Sequence, residues 1–177
     1  YPTEIVETMK QLGLFGLTID EAHGGMGADL VTLAIAFEEI SRGWMGIAGI
    51  LGSHSLACRM IGKWATDEQK AKWLPRCAKG EISAFALTEP GVGSDPATLQ
   101  TRAEPTADGE HFVINGEKLW CTNGLKAGVL VVMAQTPPKV VNGKERKQVT
   151  AFIVDMDTPG IEIAHRCRWI AHSTMSL

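Results

Sequence analysis

The chain has 177 residues, 45% of them hydrophobic and 21% charged, with a formal net charge of -3. This length holds one domain or two small ones, and the composition excludes a disordered polar segment. Acidic and basic residues are mixed along the chain with no basic patch or tract, which argues against a nucleic-acid or anionic-membrane surface.

The first half reads as helical. Pro2-Thr3 opens a segment with Ile5, Val6, Met9 and Leu12 on one stripe, closed by Gly13. "GLFGLTIDEAHGGMG" then reads as an irregular crossing. In "ADLVTLAIAFEEISRG", Asp29 is a candidate N-cap. Leu30, Leu33, Ala34, Phe37 and Ile40 recur at helical spacing, and Gly43 follows the last turn. A third helix is expected from about Gly46 to Trp64. Gly43 to Gly62 is apolar and about long enough to span a bilayer. Ser53, His54, Ser55, Arg59 and several glycines interrupt it, so a buried helix is the better reading. His54 in this helix reads as a satisfied packing histidine. The fourth helix starts with "TDEQ", where Thr66 and Gln69 have capping-box spacing, and is expected to end near Leu74-Pro75.

Past "KGEISA" the pattern changes, with a boundary near Ile82. "SAFALTEPGVGSDPAT" begins as an apolar run and stops at Thr88 in a segment of glycines, prolines and small polar groups. By itself that segment is an ordinary turn or a loop shaped to lie against a ligand. "HFVINGEKLWCTNG" carries β-branched and aromatic residues and two Asn-Gly pairs, at 115–116 and 123–124, both hairpin signals. "GVLVVMAQT" and "TAFIVDMD" are strand-length apolar runs. "PPKVVNGKERKQ" between them reads as a polar loop with a third Asn-Gly, and "TPGIEIAHRCRWI" as a turn followed by a strand. The expected fold class is therefore α+β: a helical domain over 1–82, then a mainly antiparallel, barrel-like β domain over 83–177.

Cys58, Cys77, Cys121 and Cys167 form no C-x-x-C pair, so free thiols in a reducing compartment are expected. No H-E-x-x-H or His/Cys cluster points to a metal site. The start, "YPTEIVETMKQLG", lacks the charged and apolar regions of a signal peptide and does not begin with Met.

"ALTEPGVGSDPATL" resembles the first signature of the acyl-CoA dehydrogenase family, Thr-Glu-Pro-Gly-x-Gly-Ser-Asp. Trp120 follows Thr88 by 32 residues and opens "WCTNG", similar to the family's Trp-x-Thr-Asn-Gly. "LGLFGLTIDEAHGGMG" resembles the family's crossing segment, and "ATDEQKAKWLPRCAKGE" resembles its helix ahead of the β domain. The four matches stand in the family's order and cover most of the chain.

The resemblance implies FAD as cofactor and α,β-dehydrogenation of an acyl-CoA thioester, with a hydride passing from the β-carbon to the flavin. It implies cofactor contacts at Phe85, Ala86, Leu87, Thr88, Gly93, Ser94, Trp120, Cys121 and Thr122, and a contact of Ser94 with the acyl-CoA substrate. Glycine suits a backbone lying against a flat ring. Trp120 matches a tryptophan packed near the flavin, although a tryptophan in a strand is by default a core residue. Thr122 matches a threonine whose hydroxyl bonds the ring near N5. Cys121 stands where an apolar residue is common. Glu89 is expected to serve its loop, since the family's catalytic base comes from a C-terminal helical domain; no catalytic residue is assigned in this chain. Arg168 and His172 depart from a Gly-rich turn in which Ala171 and Thr174 match.

The chain thus resembles a fragment of such an enzyme. The resemblance further implies a homo-oligomer (a tetramer), an electron-transfer flavoprotein as partner, and a cytoplasmic location in a bacterium or the mitochondrial matrix in a eukaryote. Two other readings stay open: an acyl-CoA oxidase or other oxygen-using flavoenzyme of the superfamily, and a non-catalytic flavin-binding protein of the same fold.

Overall fold

The computed structural model describes residues 1–167 and 175–176. Helices come first and strands second. α1 (Thr3–Gln11) buries Val6 and Met9, while Ile5 and Leu12 of the expected stripe are exposed; Gly13, in the left-handed region, ends it. Two short 3-10 turns, Leu14–Gly16 and Glu21–His23, carry the crossing segment; the first buries Phe15, and Ile19 between them is buried too.

α2 (Leu30–Trp64) begins with the Asp29 cap: the Thr32 amide donates to Asp29 Oδ1 at 2.8 Å. Its backbone leaves helical geometry at Trp44, one residue past Gly43, so the two helices expected from sequence meet at a kink. α3 (Asp67–Ala78) opens with the capping box. The Gln69 amide donates to Thr66 Oγ1 (3.3 Å), and the Thr66 amide donates to Gln69 Oε1 (3.0 Å). The helix does not stop at Leu74-Pro75. It runs one turn further because Trp73, Leu74 and Cys77 are buried together and the Arg76 guanidinium is held on both sides. Burial there outweighs the hydrogen bond that Pro75 cannot donate.

β5 (Val129–Val141) organises the sheet. β1 (Ser83–Ala86) pairs with it in parallel, Ser83 opposite Val129 and Ala86 opposite Val132. β2 (Arg102–Pro105) joins the same edge through Arg102–Gln135 and pairs antiparallel with β3 (Phe112–Asn115). β6 (Lys144–Asp155) runs antiparallel along the other edge of β5. β4 (Cys121–Thr122) pairs separately with β7 (Met175–Ser176). The sheet is mixed, with most of its pairing antiparallel.

Three sequence expectations change. The segment read as a polar loop forms the outer arms of the β5–β6 hairpin. Asn142 (φ 53°) and Gly143 (φ 72°) make its two-residue turn, as a type I′ geometry requires. A register shift between Thr136 and Lys139 lets Pro137 and Pro138, which have no amide hydrogen, pass through. Asn115-Gly116 is not a hairpin turn, because the β2–β3 reversal lies at 106–111, closed by the Thr106 amide on the His111 carbonyl. Gly116 instead passes so close to Thr101 that a Cβ would sit 2.6 Å from its Cα. The strand expected after Pro159 does not form over 161–167, where Glu162 to Arg166 are exposed. Arg168, Ala171, His172 and Thr174 lie outside the described residues.

The halves are joined by polar groups as well as apolar ones. Ala57, Cys58 and Ile61 of α2 and Trp73, Leu74 and Cys77 of α3 pack on Val129 and Val131 of β5. Arg76 Nη2 donates to Glu81 Oε1 (2.6 Å) and to Asp155 Oδ1 (2.7 Å), tying α3 to the end of β6. His54 is fully buried. Its Nε2 donates to the Phe15 carbonyl (2.9 Å), and its Nδ1 accepts from the Ser83 amide (3.0 Å). Burial pushes its pKa down to about 4, so the ring is neutral, as these two bonds need. Cys58, Cys77 and Cys121 are buried free thiols.

Because the unfolded histidine titrates near 6.5, His54 stabilises the fold fully above that pH and loses its contribution as pH falls toward 4. At pH 5 the loss should be about 2 kcal/mol relative to pH 7.5. Urea midpoints measured at both pH values should show this slope in the parent chain and lack it in His54→Gln. An equal slope in both proteins would assign the acid sensitivity elsewhere.

Candidate functional site

β1 leaves the sheet after Ala86, and the chain enters a loop from Leu87 to Thr101. Its shape comes from one carboxylate. The Glu89 side chain is 3% exposed. Glu89 Oε2 accepts from the Gln100 amide (2.6 Å). Oε1 accepts from the Thr101 amide (3.0 Å), the Thr101 hydroxyl (2.5 Å) and Lys118 Nζ (2.7 Å). Lys118 Nζ also donates to the Leu87 carbonyl at 3.1 Å. At the near end, Glu89 and Val92 exchange both backbone hydrogen bonds, making Pro90-Gly91 the tip of a tight turn. At the far end, Asp95 accepts from the Ala97 amide and caps the short turn Pro96–Thr98. Glu89 therefore serves its loop, as expected. Burial alone would raise its pKa, but Lys118, the Thr101 hydroxyl and the two amides hold it down at about 2. Burial lowers the Lys118 pKa in turn, and Glu89 opposes that.

The second segment lies directly alongside. The Leu119 amide donates to the Thr88 carbonyl (2.8 Å), and Cys121 Sγ lies 3.6 Å from the Phe85 carbonyl. The fold thus brings Phe85–Thr88 next to Leu119–Cys121. Ser53 of α2 donates its hydroxyl to the Thr122 carbonyl at 3.2 Å. Trp120 adopts φ 56°, a conformation unfavourable for a bulky residue, and is 47% exposed. The default reading of Trp120 as a core residue therefore fails.

The remaining candidate residues divide by burial. Phe85, Leu87, Thr88 and Thr122 are half-buried, and Gly93 and Ser94 are exposed. Ala86 and Cys121 pack with Ala84 and Val132 in the core, so only their backbone groups can reach a bound molecule. Burial pushes the Cys121 thiol up to about 11, which makes it unreactive. Gly91 and Gly93 have no atom within 4 Å of where a Cβ would stand, and neither lies in the left-handed region. Among the described residues nothing requires glycine at either place. The groups that sequence reasoning missed are the fasteners: Lys118, Thr101, Ser53 and the side chain of Asn123. Asn123 was visible as part of WCTNG and of an Asn-Gly pair, but neither signal assigns its side chain a contact; Lys118, Thr101 and Ser53 carry no signature.

Above pH 4.5, the Glu89 cluster should contribute about 3 kcal/mol that is lost progressively as pH falls toward 2. Glu89→Gln strands the Lys118 ammonium in a site where it is 12% exposed, at a cost of about 3–5 kcal/mol. Hydrogen exchange should then rise at the Gln100 and Thr101 amides first, with the α2–α3 core still protected. Uniform loss of protection would mean that Glu89 holds the whole domain rather than its loop.

Among the described residues no helix is long and apolar enough to cross a membrane. Residues 1–81 match the family described as acyl-CoA dehydrogenase, N-terminal domain, and residues 84–175 match acyl-CoA dehydrogenase, middle domain. The chain is 40% identical over 167 residues to the short-chain specific acyl-CoA dehydrogenase of Clostridium acetobutylicum, covering 92% of this chain and 42% of that protein. It is also 40% identical over 164 residues to an acryloyl-CoA reductase (NADH) of Anaerotignum propionicum, covering 92% of this chain and 41% of the relative. Among solved structures, a glutaryl-CoA dehydrogenase from Mycobacterium smegmatis in complex with FADH2 superposes with a TM-score of 0.85 at 32% identity. That match covers 99% of this chain and 43% of the neighbour. The chain spans less than half the length of each of these proteins. Two consecutive domain matches and a shared fold make this chain a member of the acyl-CoA dehydrogenase family.

Proposed function

We propose that residues 1–82 and 83–177 are the helical and β domains of an FAD-dependent acyl-CoA dehydrogenase, and that the two adjacent segments form its flavin-facing wall. The observation that carries this reading is the outer face of the Glu89 loop. Two glycines outside the left-handed region, with no neighbour among the described residues where a Cβ would stand, lie close in sequence to Thr88, whose carbonyl is bonded to the segment bearing an exposed tryptophan. Glycine that neither conformation nor packing demands fits a backbone that must lie bare against a flat ligand.

In this reading, backbone groups of Phe85, Ala86, Leu87 and Cys121 and the hydroxyls of Thr88 and Thr122 meet the polar edge of the ring. Trp120 covers it and excludes water. Gly93 and Ser94 lie where the flavin meets the acyl-CoA. FAD, when bound, would supply the two-electron chemistry by accepting a hydride. Glu89 is unsuited as the base that takes the α-proton, because four donors hold it as a buried anion. We assign the base to a part of the enzyme outside residues 1–177. By family resemblance we further assign it a homotetrameric assembly and an electron-transfer flavoprotein as electron acceptor.

Gly93→Val tests the wall in the complete enzyme. A side chain there has room in the protein, so the melting temperature of the apoprotein should not move. FAD affinity should fall by about 1–3 kcal/mol through crowding. Unchanged affinity would remove Gly93 from the cofactor site. Thr122→Val should shift the flavin absorbance band and slow substrate reduction by up to about tenfold, the value of one hydrogen bond realised in the transition state. A flavin spectrum and reduction rate identical to the parent's would sink the assignment of Thr122.

A further inference from the structure

β4 is only two residues long, Cys121 and Thr122, yet residues in the left-handed region stand on both sides of it: Trp120 at φ 56° and Asn123 at φ 71°. Among the described residues the third non-glycine residue of this kind, Asn142, sits in the β5–β6 hairpin turn, where that geometry is required. At Trp120 the backbone is held against its own preference, and something must hold it.

Asn123 has the contacts to do so. It is 1% exposed. Its Nδ2 donates to the Ile50 carbonyl of α2 (2.9 Å) and to the Ser83 carbonyl of β1 (3.1 Å). Its own carbonyl accepts from the Lys126 and Ala127 amides (2.7 and 2.9 Å), closing the turn that leads into β5. One residue therefore references the end of β4 to the long helix, to the strand that enters the Glu89 loop, and to the centre of the sheet. Its Oδ1 is buried without a hydrogen-bond partner among the described residues. Glycine would suit the same φ and would bury no unpaired oxygen. What asparagine adds is the pair of N–H donors. The joint between helices and sheet does not depend on them alone, since His54 with Ser83 and Arg76 with Asp155 already make it.

We infer that Asn123 is a positioning residue of the flavin site: it sets the offset of Trp120–Thr122 from Phe85–Thr88 and thereby aims Thr122 and Trp120 outward. This rests on the reading of these segments as a flavin-facing wall. Asn123 itself touches no ligand; it acts through the carbonyls of Ile50 and Ser83.

Asn123→Gly in the complete enzyme tests it, because glycine suits the same backbone conformation and removes the side chain with its two donors. Four readouts are needed: the apoprotein melting temperature, hydrogen exchange at the Leu119 amide in the apoprotein, FAD affinity, and the flavin absorbance band. The Leu119 amide should exchange about tenfold faster or more, and FAD should bind about tenfold more weakly, as expected for a displaced polar contact. The band shift produced by Thr122→Val should largely vanish when that change is made in the Asn123→Gly background, because coupled groups are not additive. If Asn123→Gly does not fold, Asn123→Ser is read in the same way, its hydroxyl being too short to span both carbonyls. A lower melting temperature with parental FAD affinity and fully additive band shifts would make Asn123 a structural fastener and overturn the inference. If Thr122→Val leaves the flavin unchanged, the flavin wall fails instead. Leu119 exchange in the apoprotein then still decides whether Asn123 holds the offset.

Discussion

The buried imidazole of His54 is the constraint on which the arrangement depends. It sits on α2, donates to the crossing segment at Phe15 and accepts from β1 at Ser83. Those groups belong to three stretches of chain that do not otherwise share a hydrogen-bond ladder. Both bonds need a neutral ring of one tautomer, and burial supplies the neutrality. Helix–sheet packing by apolar contacts alone could slide, because the hydrophobic effect is non-directional. A histidine paired at both nitrogens fixes the start of β1 against α2, and the departure of the Glu89 loop from β1 is fixed with it.

From that point the site is built by fasteners on its inner side. Glu89 gathers two amides, a hydroxyl and an ammonium beneath the loop, and Lys118 carries the same cluster into the Trp120 segment. Ser53 and Asn123 do the equivalent work for β4. Glu89 thus satisfies polar groups of the loop from within, while Gly91, Gly93 and Trp120 stay exposed and Thr88 and Thr122 half-buried. In the proposed flavin site such fastening would be pre-organisation, leaving little of the ordering cost for the moment of binding. Glu89 and Lys118 are internal partners, which is why the buried Glu89 carboxylate is structural.

Some of the fold was legible because it is governed by local chemistry. The Asp29 cap, the Thr66/Gln69 box and the helix break after Gly43 each depend on residues within a turn of one another. The change from helices to strands follows from the change in hydrophobic period. The outer hairpin arms did not announce themselves, since Lys144 to Gln148 are all polar, Val140 and Val141 are exposed, and Pro137 and Pro138 stand just ahead of them. They form because the Asn142-Gly143 turn sets the register and cross-strand pairing propagates from it. Asn115-Gly116 misled for the opposite reason: its glycine answers to Thr101, a neighbour in space that a turn rule cannot see.

The sequence by itself determined the order of the elements, their capped ends and the two motifs whose residue types suit a flat cofactor, because those properties depend on near neighbours and on composition. Only the tertiary structure decided that Trp120 is turned outward while Cys121 and Ala86 are turned in. Only it showed that no described residue stands against Gly91 and Gly93, and that Glu89, Lys118, Ser53 and Asn123 fasten the two segments to the rest of the fold. Those roles depend on contacts between residues 11 to 73 positions apart. Such contacts are set by how helices and sheet pack, and sequence spacing carries no record of them.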